Sequence, residues 1–141
     1  MTPYITFLVE HWMLSTAFGV IVLLLIINEW RHRSFGIPGI NPQQLVELLN
    51  HKEAVVVDVR ATERFDLGHI LGAMNIPAQN FGSSVKTLNK YKSKPVILVC
   101  AMGQESPKLG KLLKEGGFTT LYHLSGGMEA WHAQNLPVTK R

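Results

Sequence analysis

Cys100 is the only cysteine among the 141 residues, and its position favours chemistry. It follows the apolar segment Pro95-Val-Ile-Leu-Val99 and precedes a glycine-containing loop and the start of a helix. A thiolate is best stabilised at such a place, because loop amides converge there and the helix dipole favours negative charge. A single cysteine cannot form an internal disulfide. The pattern therefore predicts one nucleophilic sulfur, and the alternative is a small buried apolar side chain.

The residues after Cys100 have the types that such a loop needs. Gly103 allows a tight turn, because glycine tolerates positive φ. Ser106 and Pro107 are typical of the N-cap and first position of a helix, which we expect to begin six residues after the sulfur. Gly116-Gly117 is a plausible end for that helix. Local structure and chemistry therefore agree around the thiol.

Strand-like and helix-like segments alternate through the rest of the domain. Asn41, Pro42 and Gln44 form an N-cap, a first-turn proline and a capping box, so a helix is expected there. The predicted strands are 54–59, 74–77, 96–99 and 119–124, and the further helices are 60–67, 84–91, 107–115 (with Ser106 as its N-cap) and 127–134. Such alternation predicts an α/β fold with a mainly parallel sheet flanked by helices on both faces. Sites in these sheets lie at the carboxyl ends of strands, where Cys100 falls.

The N-terminal part differs in composition from the domain. Residues 12–27 contain no charged side chain, and Trp12 and Trp30 stand eighteen residues apart. In a helix they would be separated by about 27 Å, close to the thickness of a bilayer's hydrocarbon core. Aromatic residues at that spacing suit the two interfaces of a membrane. We expect one uncleaved transmembrane helix, and the alternatives are a core helix or a signal peptide.

Charge gives an expected orientation and location. All fourteen Lys and Arg residues follow the apolar segment, beginning with Arg31 and Arg33. The positive-inside rule predicts a single-pass protein of the inner (plasma) membrane, with its N-terminus outside and its domain in the cytoplasm. The predicted organisation is a tail at 1–11, the membrane helix at 12–30, a juxtamembrane linker at 31–40 and the domain at 41–141. The net charge of +4 is mild, and no basic motif indicates a nucleic-acid partner.

Four stretches together resemble the rhodanese (sulfurtransferase) family of the single-domain type. The first three stretches are Val57-Asp-Val-Arg60, Gly68-His-Ile-Leu-Gly-Ala-Met-Asn-Ile-Pro77 and Cys100-Ala-Met-Gly-Gln-Glu-Ser106. The fourth begins at Gly117-Phe118 and continues with Leu124-Ser-Gly-Gly-Met-Glu-Ala-Trp131 and Leu136-Pro137. Their order and spacing cover roughly Pro38 to Pro137. The N-terminal helix lies outside the resemblance.

The resemblance implies a persulfide mechanism. The Cys100 thiolate would take a sulfane sulfur from a small donor, such as thiosulfate or a low-molecular-weight persulfide, and pass it to a thiol or to cyanide. The implied binding loop consists of Ala101, Met102, Gly103, Gln104, Glu105 and Ser106. For the Ser106 hydroxyl, donation to the anion and capping of the helix both remain open. Asp58 and Arg60 are expected to form a supporting ion pair, His69 and Asn75 to bond in turns, and Trp131 to lie in the core.

One departure from the family concerns the charge of the loop. Members that prefer thiosulfate often have Arg or Lys in this loop, whereas here Glu105 adds a negative charge and no basic residue is present. Our hypothesis is weak thiosulfate turnover, with a less charged donor or a protein persulfide preferred. The lysines at 108, 111 and 114 are expected to form a solvated helix face.

Other functions fit the residues less well. A phosphatase of related layout needs an arginine six residues after its cysteine, where this chain has Ser106. A rhodanese-like docking or regulatory module without turnover is the main alternative. Ser15, Thr16, Ala17 and Gly19 permit contact with a partner membrane helix, although we favour ordinary lipid-facing composition as their explanation. The histidines show no ligand spacing, so no metal and no cofactor are expected.

Overall fold

The computed structural model describes residues 2–141, with the backbone alone for residues 32–35. Contacts divide the chain into two units, one ending at Phe35 and the other spanning Gly36–Arg141. The first contains α1 (Pro3–Glu10) and α2 (Trp12–Phe35). Residues 3–10 of the predicted tail are therefore helical, and Met1 lies outside the described part.

Helix α2 contains a stretch, Trp12–Arg31, that is long and apolar enough to cross a membrane. Its side chains are exposed, as expected of a helix that has no protein core of its own to enter. Within it the hydroxyls of Ser15 and Thr16 bond to the carbonyls of His11 and Trp12, one turn earlier. Length and composition thus agree with the predicted membrane helix at 12–30, although a signal sequence satisfies the same criteria.

The second unit is a mixed α/β domain. Its strands are β1 (Gly39–Ile40), β2 (Val55–Asp58), β3 (Met74–Asn75), β4 (Val96–Val99) and β5 (Leu121–Leu124). Its α-helices are α3 (Pro42–His51), α4 (Thr62–Leu67), α5 (Phe81–Ser84), α6 (Ser106–Glu115) and α7 (Gly127–Ala133). The sheet has the order β1-β5-β4-β2-β3, and every neighbouring pair is parallel. The predicted parallel architecture is confirmed.

Alternate residues of the central strands enter two separate cores. On β4, Val96 and Leu98 face one core and Ile97 and Val99 face the other, as the two-residue period of a strand requires. The first core contains Leu113 of α6 together with Phe81 and Leu88, and the second contains Leu45 of α3 together with Met128 and Trp131 of α7. All four residues of β4 are buried because helices cover both faces of the sheet.

Local signals placed several elements correctly. The Asn41 side chain accepts from the Gln44 amide at 2.8 Å, and the Gln44 side chain accepts from the Asn41 amide at 2.9 Å. The predicted capping box is therefore present. At the end of α6, the amides of Gly117 and Phe118 bond to the carbonyls of Lys114 and Leu113, with Gly117 at φ +95°. This is a Schellman ending, as the glycine pair indicated.

Several predicted elements differ from the structure. The predicted helix at 60–67 begins at Thr62, and the predicted strand at 74–77 ends at Asn75. The predicted linker at 31–40 contains the end of α2 and the strand β1, which pairs with β5, so the compact unit begins at Gly36. The predicted helix at 84–91 is a 3₁₀ helix (Val85–Tyr91) that follows the single turn of α5. The last strand begins at Leu121 rather than at residue 119. The strand β1 forms because it pairs with β5, which is distant in sequence.

Candidate active site

Cys100 lies at the carboxyl end of β4, in the middle of the sheet. It is 2 % exposed and its thiol is free. The neighbouring strand β2 ends beside it, and the amide of Val59 bonds to the carbonyl of Val99 at 2.9 Å. The sulfur is therefore held at the end of a buried central strand. This is the carboxyl-terminal side of the sheet, where parallel α/β folds bind ligands.

The loop that follows turns back on the sulfur. The amide of Gly103 donates a hydrogen bond of 3.0 Å to the Cys100 Sγ atom. Gly103 has φ +86°, and a Cβ atom at this position would lie 2.8 Å from the amide nitrogen of Gly126. Both the backbone conformation and the close approach of a second chain segment require glycine here. The tight turn with positive φ that the sequence predicted at Gly103 is present.

Helix α7 holds the outer side of the loop. The amides of Met128 and Glu129 donate to the carbonyls of Cys100 and Ala101, at 2.8 and 3.1 Å. In a trans peptide the carbonyl and the following amide point in opposite directions. The amides of Ala101 and Met102 are therefore directed away from α7, and the N-terminus of α6 contributes positive potential at the end of the loop.

Ser106 does not cap helix α6. The N-cap position is Glu105, Ser106 is the first helical residue, and Pro107 occupies the next position. The prediction of Ser106 as N-cap is wrong by one residue, because the loop already enters the helical conformation at Glu105, with φ −84° and ψ −36°. The Ser106 side chain is fully buried, and its Oγ atom has no hydrogen-bond partner among the described residues. Of the two roles left open by the sequence, capping is not observed.

Asp58 and Arg60 form the expected ion pair below the loop. The Arg60 guanidinium donates three hydrogen bonds to the Asp58 carboxylate, from Nη2 to Oδ2 at 2.7 Å and from Nε to Oδ1 at 3.0 Å and to Oδ2 at 3.1 Å. Nη2 also donates to the carbonyl of Gly68 at 2.8 Å. Asp58 is 1 % exposed, so the pair joins the end of β2 to the turn after α4 within the protein. Its contacts are those of a structural ion pair.

The other polar residues of the resemblance serve the backbone. The Asn75 side chain donates to the carbonyls of Asp58 and Arg60, at 3.2 and 3.0 Å. The His69 ring contacts the carbonyl of Phe65 at 2.7 Å through Nδ1 and stacks on the Phe65 ring. Trp131 is buried, and its indole donates to the carbonyl of Pro137. These contacts agree with the predicted turn and core roles.

An open cleft of about 1140 Å³ borders the loop of residues 100–106, the sulfur loop. Its lining includes Cys100 and the loop residues Ala101, Met102, Gln104 and Glu105. Charged groups reach it from other elements as well, namely Glu63 and Arg64 of α4 and Glu129 of α7. The lysines at 108, 111 and 114 are exposed and are not part of the lining, as expected of a solvated helix face.

Sequence reasoning missed two contributions to this site. The first is the close packing of Gly126 and Gly127, with φ +75° and +58°, against the sulfur loop. The Gly-Gly pair before a helix was the available signal, although it does not reveal which segment it approaches. The second is the position of Glu63 and Glu129 on the cleft, for which the sequence held no signal. Among the described residues no group of His, Cys, Asp or Glu is arranged to hold a metal ion.

The fold and the site together define a class: a parallel α/β domain that presents one cysteine at the end of a central strand, with an amide of the following loop donating to its sulfur. The Rhodanese-like domain family matches residues 41–134, and the chain belongs to this family.

Two relatives and one solved structure illustrate the similarity. An uncharacterized protein of Escherichia coli K12, YibN, is 29% identical over 141 residues, covering 99% of both chains. The thiosulfate sulfurtransferase GlpE of Glaesserella parasuis is 35% identical over 100 residues, covering 70% of this chain and 90% of its own. A crystal structure of a rhodanese-related protein from Thermoplasma volcanium superposes with a TM-score of 0.67 at 26% identity, covering 74% of this chain and 99% of its own.

Proposed function

We propose that this protein is a membrane-anchored sulfurtransferase that moves a sulfane sulfur through a persulfide on Cys100. The observation that supports this most directly is the hydrogen bond from the Gly103 amide to Sγ. An amide aimed at the sulfur favours the thiolate and, after loading, the persulfide anion. The GlpE relatives are named as thiosulfate sulfurtransferases, which agrees with this chemistry.

The reaction has two displacement steps at sulfur. The Cys100 thiolate attacks the sulfane sulfur of a donor; with thiosulfate, the new S–S bond forms as the old one breaks, and sulfite leaves with the electron pair. An acceptor thiolate or cyanide then attacks the outer sulfur of the persulfide. The Cys100–sulfur bond breaks, and its electron pair returns to the Cys100 thiolate. No external oxidant is needed.

The residues around the loop suit the anions that these steps produce. The persulfide places a negative sulfur one bond farther out than Sγ, within the turn formed by residues 101–106. The amides directed away from α7, the α6 N-terminus and the Ser106 hydroxyl are the groups that stabilise it. Because this loop has no Arg or Lys, we propose that it handles thiosulfate weakly and prefers a less charged donor, a low-molecular-weight persulfide or a protein persulfide. Saturation by micromolar thiosulfate would contradict that preference.

We further propose that α2 anchors the protein in the inner membrane as a single span, with the domain in the cytoplasm. The apolar stretch Trp12–Arg31 and the placement of every Lys and Arg at its end or beyond support this arrangement. A reducing cytoplasm also suits an unpaired cysteine. We also propose that α2 contacts another membrane protein through the small residues near its start, Ser15, Thr16, Ala17 and Gly19. In a Thr2→Cys variant, the new thiol should react with a membrane-impermeant maleimide in intact cells. Labelling of this thiol only after lysis would indicate the opposite orientation, with the N-terminus inside.

The deciding experiment is mass spectrometry of the full chain in detergent. Wild type and Cys100→Ser are incubated separately with thiosulfate and with glutathione persulfide. Wild type should gain one sulfur atom, more readily from the persulfide, and should lose it to cyanide or to a thiol, while Cys100→Ser gains none. A folded wild-type protein with a free thiol that gains no sulfur from either donor would favour the docking or regulatory module.

A further inference from the structure

The cleft beside Cys100 has an acidic rim, formed by Glu63, Glu105 and Glu129. All three side chains are exposed and line the same cleft as the sulfur loop. The lining also contains the imidazole of His132 and two guanidinium groups: that of Arg64, and that of Arg60, whose charge is matched by its contact with the Asp58 carboxylate. The rim therefore has a negative balance, with three carboxylates against one guanidinium.

The three carboxylates come from separate elements. Glu63 lies in the first turn of α4, Glu105 is the N-cap of α6, and Glu129 lies in the first turn of α7. A carboxylate at a helix N-terminus stabilises that helix, which explains each residue individually. Their common position on one cleft has a separate consequence, because an ion in the cleft beside Cys100 is exposed to the potential of all three.

The rim and the loop act on different parts of a substrate. The loop interior accepts a single negative sulfur, with the Gly103 amide at 3.0 Å from Sγ and the unpartnered Ser106 hydroxyl at the start of α6. The rest of a substrate remains in the cleft, among the carboxylates. A second negative charge on the substrate, as in thiosulfate, is repelled there, and a positive charge is attracted.

We propose that the acidic rim selects sulfur donors and acceptors that have a positive charge beside the reacting sulfur. This inference rests on the proposed sulfur transfer and specifies its substrate class. A suitable partner is a small aminothiol, or its persulfide. In the acceptor step, the thiolate of the aminothiol bonds to the outer persulfide sulfur, and the Cys100–sulfur bond breaks with its electrons returning to Cys100. The aminothiol leaves as its persulfide anion.

The test measures how fast three small thiols discharge the Cys100 persulfide. Full-length protein in detergent is loaded with excess glutathione persulfide, desalted, and mixed with cysteamine, 2-mercaptoethanol or 3-mercaptopropionate, which are cationic, neutral and anionic. The same rates are measured for a Glu63→Gln, Glu105→Gln, Glu129→Gln triple variant. Dividing each wild-type rate by the variant's rate removes the intrinsic reactivity of the thiol.

A definite ratio is expected. One pair of unit charges about 7 Å apart in water changes a rate roughly threefold. Cysteamine and 3-mercaptopropionate differ by two charges, so even one carboxylate at that distance makes the wild-type preference for cysteamine exceed the variant's by at least about tenfold at low salt. A control triple with the same charge change, Glu47→Gln, Glu53→Gln, Glu115→Gln, alters exposed residues that are not part of the cleft lining and should keep the wild-type preference.

Salt provides a second readout that needs no variant. Added salt should slow the cysteamine reaction and speed the 3-mercaptopropionate reaction of wild type, because screening weakens attraction and repulsion alike. Equal charge preferences in wild type and rim variant, or salt effects of one sign on both thiols, would overturn the acidic-rim inference and leave sulfur transfer intact. A wild-type protein that cannot be loaded at all would overturn both.

Discussion

The amide of Met128 donates a hydrogen bond of 2.8 Å to the carbonyl of Cys100, so the helix that closes the domain holds the residue at the centre of the candidate site. The two residues are far apart in sequence, and the contact depends on the glycine pair that opens α7. Gly127 lies so close to the backbone of Cys100 and Ala101 that any side chain would overlap it. The position of the sulfur loop is therefore set by α7 as well as by β4.

The first prediction concerns Gly127→Ala. This substitution combines a positive φ of +58° with direct overlap of the sulfur loop. We expect it to lower the free energy of unfolding by about 3 kcal/mol or more, since backbone strain and overpacking add. It should also impair persulfide formation in the protein that remains folded. Denaturation of the detergent-solubilised chain and the sulfur-loading assay measure the two effects.

Gly72→Ala is the matched control. Gly72 has φ +82°, and nothing lies within 4 Å of an added Cβ atom there. Its expected loss is only the cost of a left-handed residue, about 1 kcal/mol. Similar losses in both variants would mean that packing of Gly127 against the sulfur loop contributes little.

The second prediction concerns the buried ion pair. Arg60→Gln removes the cation and leaves the Asp58 carboxylate uncompensated at 1 % exposure. We expect a loss of about 3–5 kcal/mol in the free energy of unfolding. The double variant Asp58→Asn, Arg60→Gln removes both charges and should recover part of that loss. Equilibrium denaturation of the three proteins gives the coupling energy.

The same pair distinguishes structure from substrate contact. If the role of Arg60 is structural, the folded double variant should load sulfur at a rate close to that of wild type. A folded double variant whose loading rate falls a hundredfold would instead place Arg60 among the substrate-binding groups.

Features set by neighbouring residues were predictable from the sequence. The capping box of Asn41 and Gln44, the strand at 96–99 and the glycine ending of α6 are local signals, and all are present. The alternation of strands and helices also predicted the parallel sheet, because parallel strands need helical crossovers. The position of Cys100 at a strand end followed from these elements.

Features set by distant residues were not predictable. The two residues of β1 resemble a linker, and they form a strand because β5, more than eighty residues later, offers its edge. The approach of Gly127 to Cys100 and the shared cleft of Glu63 and Glu129 depend on the same kind of long-range placement. The residue type at each of these positions gave no information about which distant residue lies beside it.

The third prediction is a pH dependence of stability caused by His123. Burial on β5 lowers the pKa of His123 below its ordinary value of 6.5, against a smaller opposing effect of a backbone hydrogen bond involving Leu124. The unfolded chain therefore binds a proton at a higher pH than the folded chain does. The contribution of His123 to stability is complete above about pH 6.5, falls as the pH drops from there toward the lower folded pKa, and levels off below it.

Thermal midpoints between pH 8 and pH 5 measure this effect. His123→Gln removes the titrating group, so its midpoint should fall less on acidification than that of wild type. His51→Gln changes an exposed histidine and should behave like wild type. Parallel curves for wild type and His123→Gln would show that His123 does not contribute to the acid sensitivity.

The last prediction concerns the Ser106 hydroxyl, which is buried without a hydrogen-bond partner among the described residues. An unsatisfied hydroxyl costs about 1–3 kcal/mol in the resting protein, so Ser106→Ala should leave the melting temperature unchanged or raise it. If the hydroxyl donates to the persulfide anion, the same variant should hold the transferred sulfur about tenfold less tightly, as expected for one hydrogen bond to a charged group. Two opposite effects of one substitution are thus expected.

Melting curves of the unloaded protein and competition for sulfur against glutathione measure the two effects separately. Ser83→Ala is the control, because the Ser83 hydroxyl is exposed and bonds to the carbonyl of Asn80 far from the sulfur loop in the sequence. It should leave sulfur retention unchanged. A Ser106→Ala protein that melts lower and retains its sulfur as wild type does would assign the hydroxyl to stability alone, since the persulfide would then depend on the backbone amides of the loop and the α6 N-terminus.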